Sequence, residues 1–163
     1  IRGGGQEQGR RAGTEHLIGI AGFAAAATAA QDDLAAGSAE KQAELRDRLQ
    51  NALDIDDENT MYPGRASRRL PQTLSILTPG WKGETQVMQM DLAGFAVSAG
   101  SACSSGKVRP SGVLRAMGVP EADAACALRV SFGRATTAEE LDRFADAWLT
   151  ARSRWRSKQG KTG

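Results

Sequence analysis

Cys103 sits in the run AGSACSSGKVRPSG, Ala99 to Gly112, where almost every neighbour has a minimal side chain. A free cysteine is ordinarily a small buried hydrophobe, yet Ser101, Ala102, Ser104, Ser105 and Gly106 offer nothing to bury it against. Such residues predict an exposed, mobile loop. Lys107 and Arg109 are near enough in sequence to favour the thiolate, the nucleophilic form, and no histidine is close by to act as its base. The pattern predicts a reactive thiol. Cys126, flanked by Ala125 and Ala127 ahead of an apolar strand, carries the opposite expectation of a buried structural thiol.

Two other stretches have chemical potential. GGGQEQGRRAGT, Gly3 to Thr14, exposes backbone amides ahead of a helix and ends in a hydroxyl, a combination that suits a phosphate. It is not a P-loop, because no Gly-Lys-Ser/Thr follows. Arg129 lies in LRVSF, where Leu128, Val130 and Phe132 share one strand face and Arg129 and Ser131 the other. An arginine so placed either pairs with a surface carboxylate or grips a substrate carboxylate with its bidentate fork. The strand alone leaves both open.

The elements around these residues follow from periodicity. Glu15 to about Gln31 reads as a helix, with Leu17, Ile20, Ala21 and Ala24 at core spacing. Ser38 caps the next, in which Leu45, Leu49 and Leu53 recur every fourth residue. Residues 54 to 71 predict an irregular connection with one short strand. Thr73 to Leu77 predicts a strand, Gly83 to about Leu92 a helix, and FAVS, Phe95 to Ser98, a buried strand leading into the cysteine loop. Pro110 suits the first turn of a short helix and Gly118 its end. Thr137 and Glu140 form a capping box for a final helix, striped by Leu141, Phe144, Ala145, Trp148, Leu149 and Trp155. The whole predicts an α/β layer fold with helices packed on a small mixed or antiparallel sheet.

Composition narrows the class. The 163 residues, 40% hydrophobic and 25% charged, suit a globular domain, and with only 5% aromatics the core must rest on Leu, Val, Ile and Ala. A net charge of +2 carries no nucleic-acid signal, and the basic tail ARSRWRSKQGK reads as a solvated helix end. No apolar run approaches the ~20 residues of a membrane span; IGIAGFAAAATAA reads instead as a tightly packed helix. Two cysteines supply neither a metal cluster nor a disulfide framework, so no metal site and a cytoplasmic setting are expected. The chain begins at Ile1 and runs directly into a glycine-rich loop, which predicts the C-terminal part of something longer.

RGGGQEQGRRAGTEH, RLPQTLSI, VSAGSACSSGKVRPSGVLRAMG and LRVSFGRATTAEELDRF, in that order, resemble the motifs of the cysteine desulfurases. These are pyridoxal-phosphate enzymes of the class V aminotransferase group. The resemblance spans nearly all of the chain and corresponds to the family's C-terminal portion. It implies fold type I, with residues 1–36 ending the large cofactor-binding domain and 37–163 forming the small domain that carries the cysteine loop. It implies that Cys103 is the nucleophile that takes sulfur from L-cysteine, leaving L-alanine, and holds it as a persulfide. Arg129 then binds the substrate carboxylate, and Thr14 contacts the cofactor phosphate of the opposite subunit in a homodimer. The implied acceptor is a protein such as an iron–sulfur scaffold, with nucleic acid reached only indirectly through tRNA thiolation, and no membrane. Gly112, Gln72 and Trp81 depart from the family's usual residues at their positions. The family's Schiff-base lysine follows a histidine; the single histidine, His16, and Lys41, Lys82, Lys107, Lys158 and Lys161 all stand in other contexts. This chain by itself is therefore expected to be inactive and not to hold pyridoxal phosphate covalently. A selenocysteine lyase, a transaminase-like relative and a non-catalytic sulfur-carrying or interaction fragment stay open as alternatives.

Overall fold

The computed structural model describes residues 3–54, 59–100 and 111–160. The chain divides into two compact units at Ser38. In the first, a short 3₁₀ turn at Gln6–Gly9 precedes helix α1, Leu17–Ala35. The helix outruns its expected end at Gln31 and stops at Gly37, which adopts positive φ. No α1 residue is buried: Leu17, Ile18, Ile20 and Phe23 are all exposed, against the expected core role of Leu17 and Ile20. Its apolar residues surround the axis instead of forming one stripe, so no single face is set aside for a core.

The second unit is a small α/β layer. Helix α2, Ser38–Leu53, is followed by β1, Thr73–Leu77, then α3, Gly83–Leu92, and β2, Ser98–Ala99. Two short helices, α4 at Gly112–Ala116 and α5 at Glu121–Ala124, lead to β3, Ala127–Ser131, and the long α6, Ala138–Gln159. The described strands form one antiparallel sheet in the order β1-β3-β2. Met61 adds an isolated bridge to Leu77, the one short pairing expected in the irregular connection.

One sheet face makes the main core. Leu74, Ile76, Leu128 and Val130 pack against Leu49 and Leu53 of α2, Met90 of α3, and Leu141, Phe144 and Trp148 of α6. The expected spacings in α2 and α6 account for most of these contacts. The capping box is present: Glu140 N–H donates to Thr137 Oγ1 at 3.2 Å, and Thr137 N–H donates to Glu140 Oε2 at 2.8 Å. Arg48 of α2 and Asp142 of α6 add a bidentate pair at 2.9 and 2.6 Å.

Two expectations change. FAVS pairs only at its end, because Phe95 is consumed in closing α3: its N–H donates to Met90 O at 2.8 Å while Gly94 turns at φ 86°. The basic tail is partly structural. Arg152 is 5% exposed and lies over the Trp148 ring at 5.3 Å, and Trp155 stacks on Trp81 at 5.6 Å. Trp81 is thus a core residue at 1% exposure.

A buried carboxamide joins these layers. Gln86 of α3 is fully buried; its Nε2 donates to Trp81 O at 2.8 Å and to Cys126 O at 3.0 Å, while its Oε1 accepts from Trp148 Nε1 at 3.1 Å. Just before it, Gly83 N–H donates to Ala125 O at 3.0 Å. A Cβ on Gly83 would lie 2.5 Å from Ala127 O, so the start of α3 can approach β3 this closely only as glycine. Replacing Gln86 with Leu strands a buried indole N–H and two carbonyls. It is expected to cost about 3 kcal/mol or more, read as a lowered urea midpoint at unchanged slope.

Candidate active site

The register of β3 decides what surrounds Arg129. Ser75 of β1 and Ser98 of β2 are its two cross-strand partners, and residues directly opposite in a sheet share a face. Thr73 and Ser131 pair at one end of this face, Leu77 and Ala127 at the other. Arg129 is exposed, and none of the ion pairs among the described residues includes it. The surface-carboxylate alternative therefore finds no partner among them. What the sheet presents is an uncommitted guanidinium between two hydroxyl-bearing residues.

A second, smaller apolar cluster closes one end of that same face. Leu77, Ala127, Leu114 of α4 and Ala124 of α5 are buried together, with Val119 against them. Helix α4 therefore sits on the Arg129 side of the sheet. Ser111 caps it, accepting from Leu114 N–H at 3.3 Å. The segment from residue 101 to 110, which contains Cys103, Lys107, Arg109 and Pro110, lies outside the described residues. Its two attachments do not. It leaves from β2, whose Ser98 is paired with Arg129, and returns at Ser111, on the face where Arg129 emerges.

Cys126 fits its structural reading. It is 4% exposed, its Sγ donates to Ala122 O at 3.4 Å, and burial pushes the thiol's pKa up, away from the thiolate. Among the described residues no group of three or more His, Cys, Asp or Glu is placed to hold a metal, and no helix is long and apolar enough to cross a membrane.

Thr14 belongs to the N-terminal unit. Arg11 ties the loop before it, donating from Nη1 to Gly13 O at 2.7 Å and from Nη2 to Glu7 Oε1 at 3.1 Å. Glu7 and Gln8 both take left-handed φ, 51° and 58°. Thr14 is exposed and bonds no described residue. His16 precedes α1 without capping it, so the first-turn amides have no side-chain acceptor. An exposed hydroxyl beside uncapped amides fits a phosphate.

Residues 4–144 match the family model described as aminotransferase class-V. The chain belongs to this family. A class-V relative described as cysteine desulfurase, from Gluconacetobacter diazotrophicus, is 44% identical over 146 residues, which are 90% of this chain and 36% of that protein. The cysteine desulfurase NifS of Azotobacter vinelandii is 40% identical over 143 residues, 88% of this chain and 35% of that one. The solved NifS-like protein from Rickettsia africae superimposes with a TM-score of 0.79 at 29% identity, covering 94% of this chain and 39% of that one. The chain thus spans little more than a third of the length of these relatives. The fold class expected from the sequence is borne out.

Sequence reasoning named Arg129 but missed Ser75 and Ser98, since strand register is not written in either serine. The lack of any ion pair among the described residues implies that Arg129 contributes little to folding. Arg129→Ala is expected to shift unfolding stability by no more than about 0.5 kcal/mol, checked by urea denaturation.

Proposed function

We propose that the chain is the C-terminal portion of a cysteine desulfurase, which converts L-cysteine to L-alanine and passes the sulfur onward. One observation supports this reading: both attachments of the Cys103 segment lie at the sheet face that presents Arg129, which has no ion pair among the described residues. The segment that carries the thiol is thereby anchored at both ends beside the proposed carboxylate clamp. Cys103 is five residue steps on from Ser98, which limits their Cα atoms to about 18 Å apart.

Arg129 holds the substrate carboxylate with its fork, and the flanking Ser75 and Ser98 add hydroxyls of either polarity. The Cys103 thiolate attacks the sulfur of the bound L-cysteine. The new S–S bond forms as the C–S bond breaks, its electron pair stays with the substrate carbon, and protonation there gives alanine. Cys103 is left as a persulfide, and attack by an acceptor thiol on the outer sulfur regenerates it. Lys107 and Arg109 favour the thiolate form. Pyridoxal phosphate supplies the electron sink that makes the C–S bond labile.

Thr14 and the uncapped amides of α1 would hold that cofactor's phosphate in the opposite subunit, which makes the active form a homodimer. The lysine that carries the cofactor would come from the remaining part of the enzyme. Residues 1–36 are read as the end of the large domain and 37–163 as the small one. An α1 apolar on all sides yet with no buried residue supports this, since such a helix needs surroundings of its own. A reducing cytoplasm suits a working thiol, and an iron–sulfur scaffold protein suits the acceptor.

Cys103→Ser in the full-length homodimer is expected to abolish sulfide release from L-cysteine while L-cysteine still perturbs the cofactor's visible absorbance. Turnover retained in that variant would remove the mechanism. Arg129→Ala is expected to raise KM for L-cysteine roughly ten- to hundredfold, a charge-assisted contact being worth about 1.5–3 kcal/mol. Arg129→Lys should recover only part of it, because a point charge lacks the fork.

A further inference from the structure

Away from that sheet face, α2 and the segment leading into β1 enclose a concavity of about 690 Å³. Four arginines line it, Arg46, Arg65, Arg68 and Arg69, against two carboxylates, Glu40 and Asp47. The four are not equivalent. Arg46 is 9% exposed and fully engaged, with Nε and Nη2 on Asp47 Oδ1 at 3.0 and 2.9 Å and Nη1 donating to Leu70 O at 3.1 Å. Arg65 pairs with Asp54 at 2.7 Å.

Arg69 is short of acceptors. Its Nη2 donates to Gln50 Oε1 at 2.6 Å and lies 3.4 Å from Asp47 Oδ1, the same oxygen that already serves Arg46. Its Nη1 is buried and has no hydrogen-bond partner. Burial and the neighbouring Arg46 cation both push the Arg69 pKa down, the response of a guanidinium with too little counter-charge. Beside it, Arg68 is exposed and pairs with none of the described residues. Buried donors are seldom left without an acceptor, so an orphaned one calls for a cause.

We propose that this concavity binds a phosphate-class oxyanion, with Arg69 and Arg68 as its principal donors and the Ser67 hydroxyl beside them. A phosphate supplies what the site lacks, several strong acceptor oxygens and negative charge, and guanidinium forks match it in geometry. With Arg46 on Asp47 and Arg65 on Asp54, Arg68 and Arg69 face one remaining lining carboxylate, Glu40, and the site keeps positive charge open to an anion. The ligand is a free phosphate or a small phosphate ester. The site is separate from the cofactor phosphate contact read at Thr14 and does not depend on that reading.

Inorganic phosphate titrated into the full chain at constant ionic strength, against chloride, tests this through the arginine Nε–Hε resonances. The expected result is a saturable shift at Arg68 and Arg69 with a dissociation constant in the millimolar range. Arg69→Gln and Arg68→Ala should each weaken binding at least tenfold, and Thr14→Ala should leave it unchanged. Arg68→Ala carries the test if Arg69→Gln fails to fold, since Arg68 is exposed and makes no contact the fold needs. Displacement by adenosine monophosphate at equal or lower concentration identifies an ester as the ligand; displacement only at higher concentration identifies the free ion. No saturation into the tens of millimolar, or a shift indifferent to Arg68→Ala, would overturn the proposal.

Discussion

The second unit depends on the carboxamide of Gln86. An indole N–H can only donate and a carbonyl can only accept, so the amide has one orientation that satisfies all three neighbours, and it adopts it. Burying such a group unpaired would be costly, and burying it fully paired fixes the relative positions of whatever supplies the partners. Here those partners are the turn after β1, the residue before β3 and the middle of α6. Holding the Cys126 carbonyl sets where β3 begins, and Arg129 stands three residues further on. The position of Arg129 is thus determined from behind, by a polar contact in the core on the other side of the sheet.

The sheet serves two purposes because its faces differ. Among the described residues, one is covered by three helices and supplies cohesion; the other is capped at one end by α4 and α5 and is otherwise polar. That asymmetry permits an exposed cation on the central strand without destabilising the layer. It also brings the two attachments of the cysteine segment to the Arg129 side without using residues of the main core. Substitutions around Arg129 and substitutions in the main core therefore fall on separate sets of positions.

Where local rules governed, the sequence was readable. The alternation of Leu128, Val130 and Phe132 places those residues inside and Arg129 outside, and Thr137 with Glu140 starts α6 where a capping box should. Helix α3 has the bounds its periodicity predicts. Failures arose where a distant partner decided. Arg46, Gln50, Gln86 and Arg152 are polar residues outside every predicted apolar stripe, and each is buried. For Arg46 and Gln86 the reason is a backbone carbonyl far away in the chain; for Arg152 it is an indole face one helical turn back. Phe95 read as strand but serves as the closing residue of a helix cap. Of the candidate site, the cation was legible and its hydroxyl neighbours were not, because register depends on both strands together. The thiol and its segment lie outside the described residues, so their roles rest on sequence.

All three tryptophans of the chain meet at one seam. Trp81 stacks on Trp155 with ring centres 5.6 Å apart and tilts against Trp148 at 5.4 Å. At such separations the indoles share excitation and emit as one chromophore, located where α6 docks on the turn after β1. Indole emission therefore observes that seam alone. The N-terminal unit holds no indole, so the settling or fraying of α1 leaves no signature at these wavelengths, and a fluorescence-detected unfolding curve describes the second unit only.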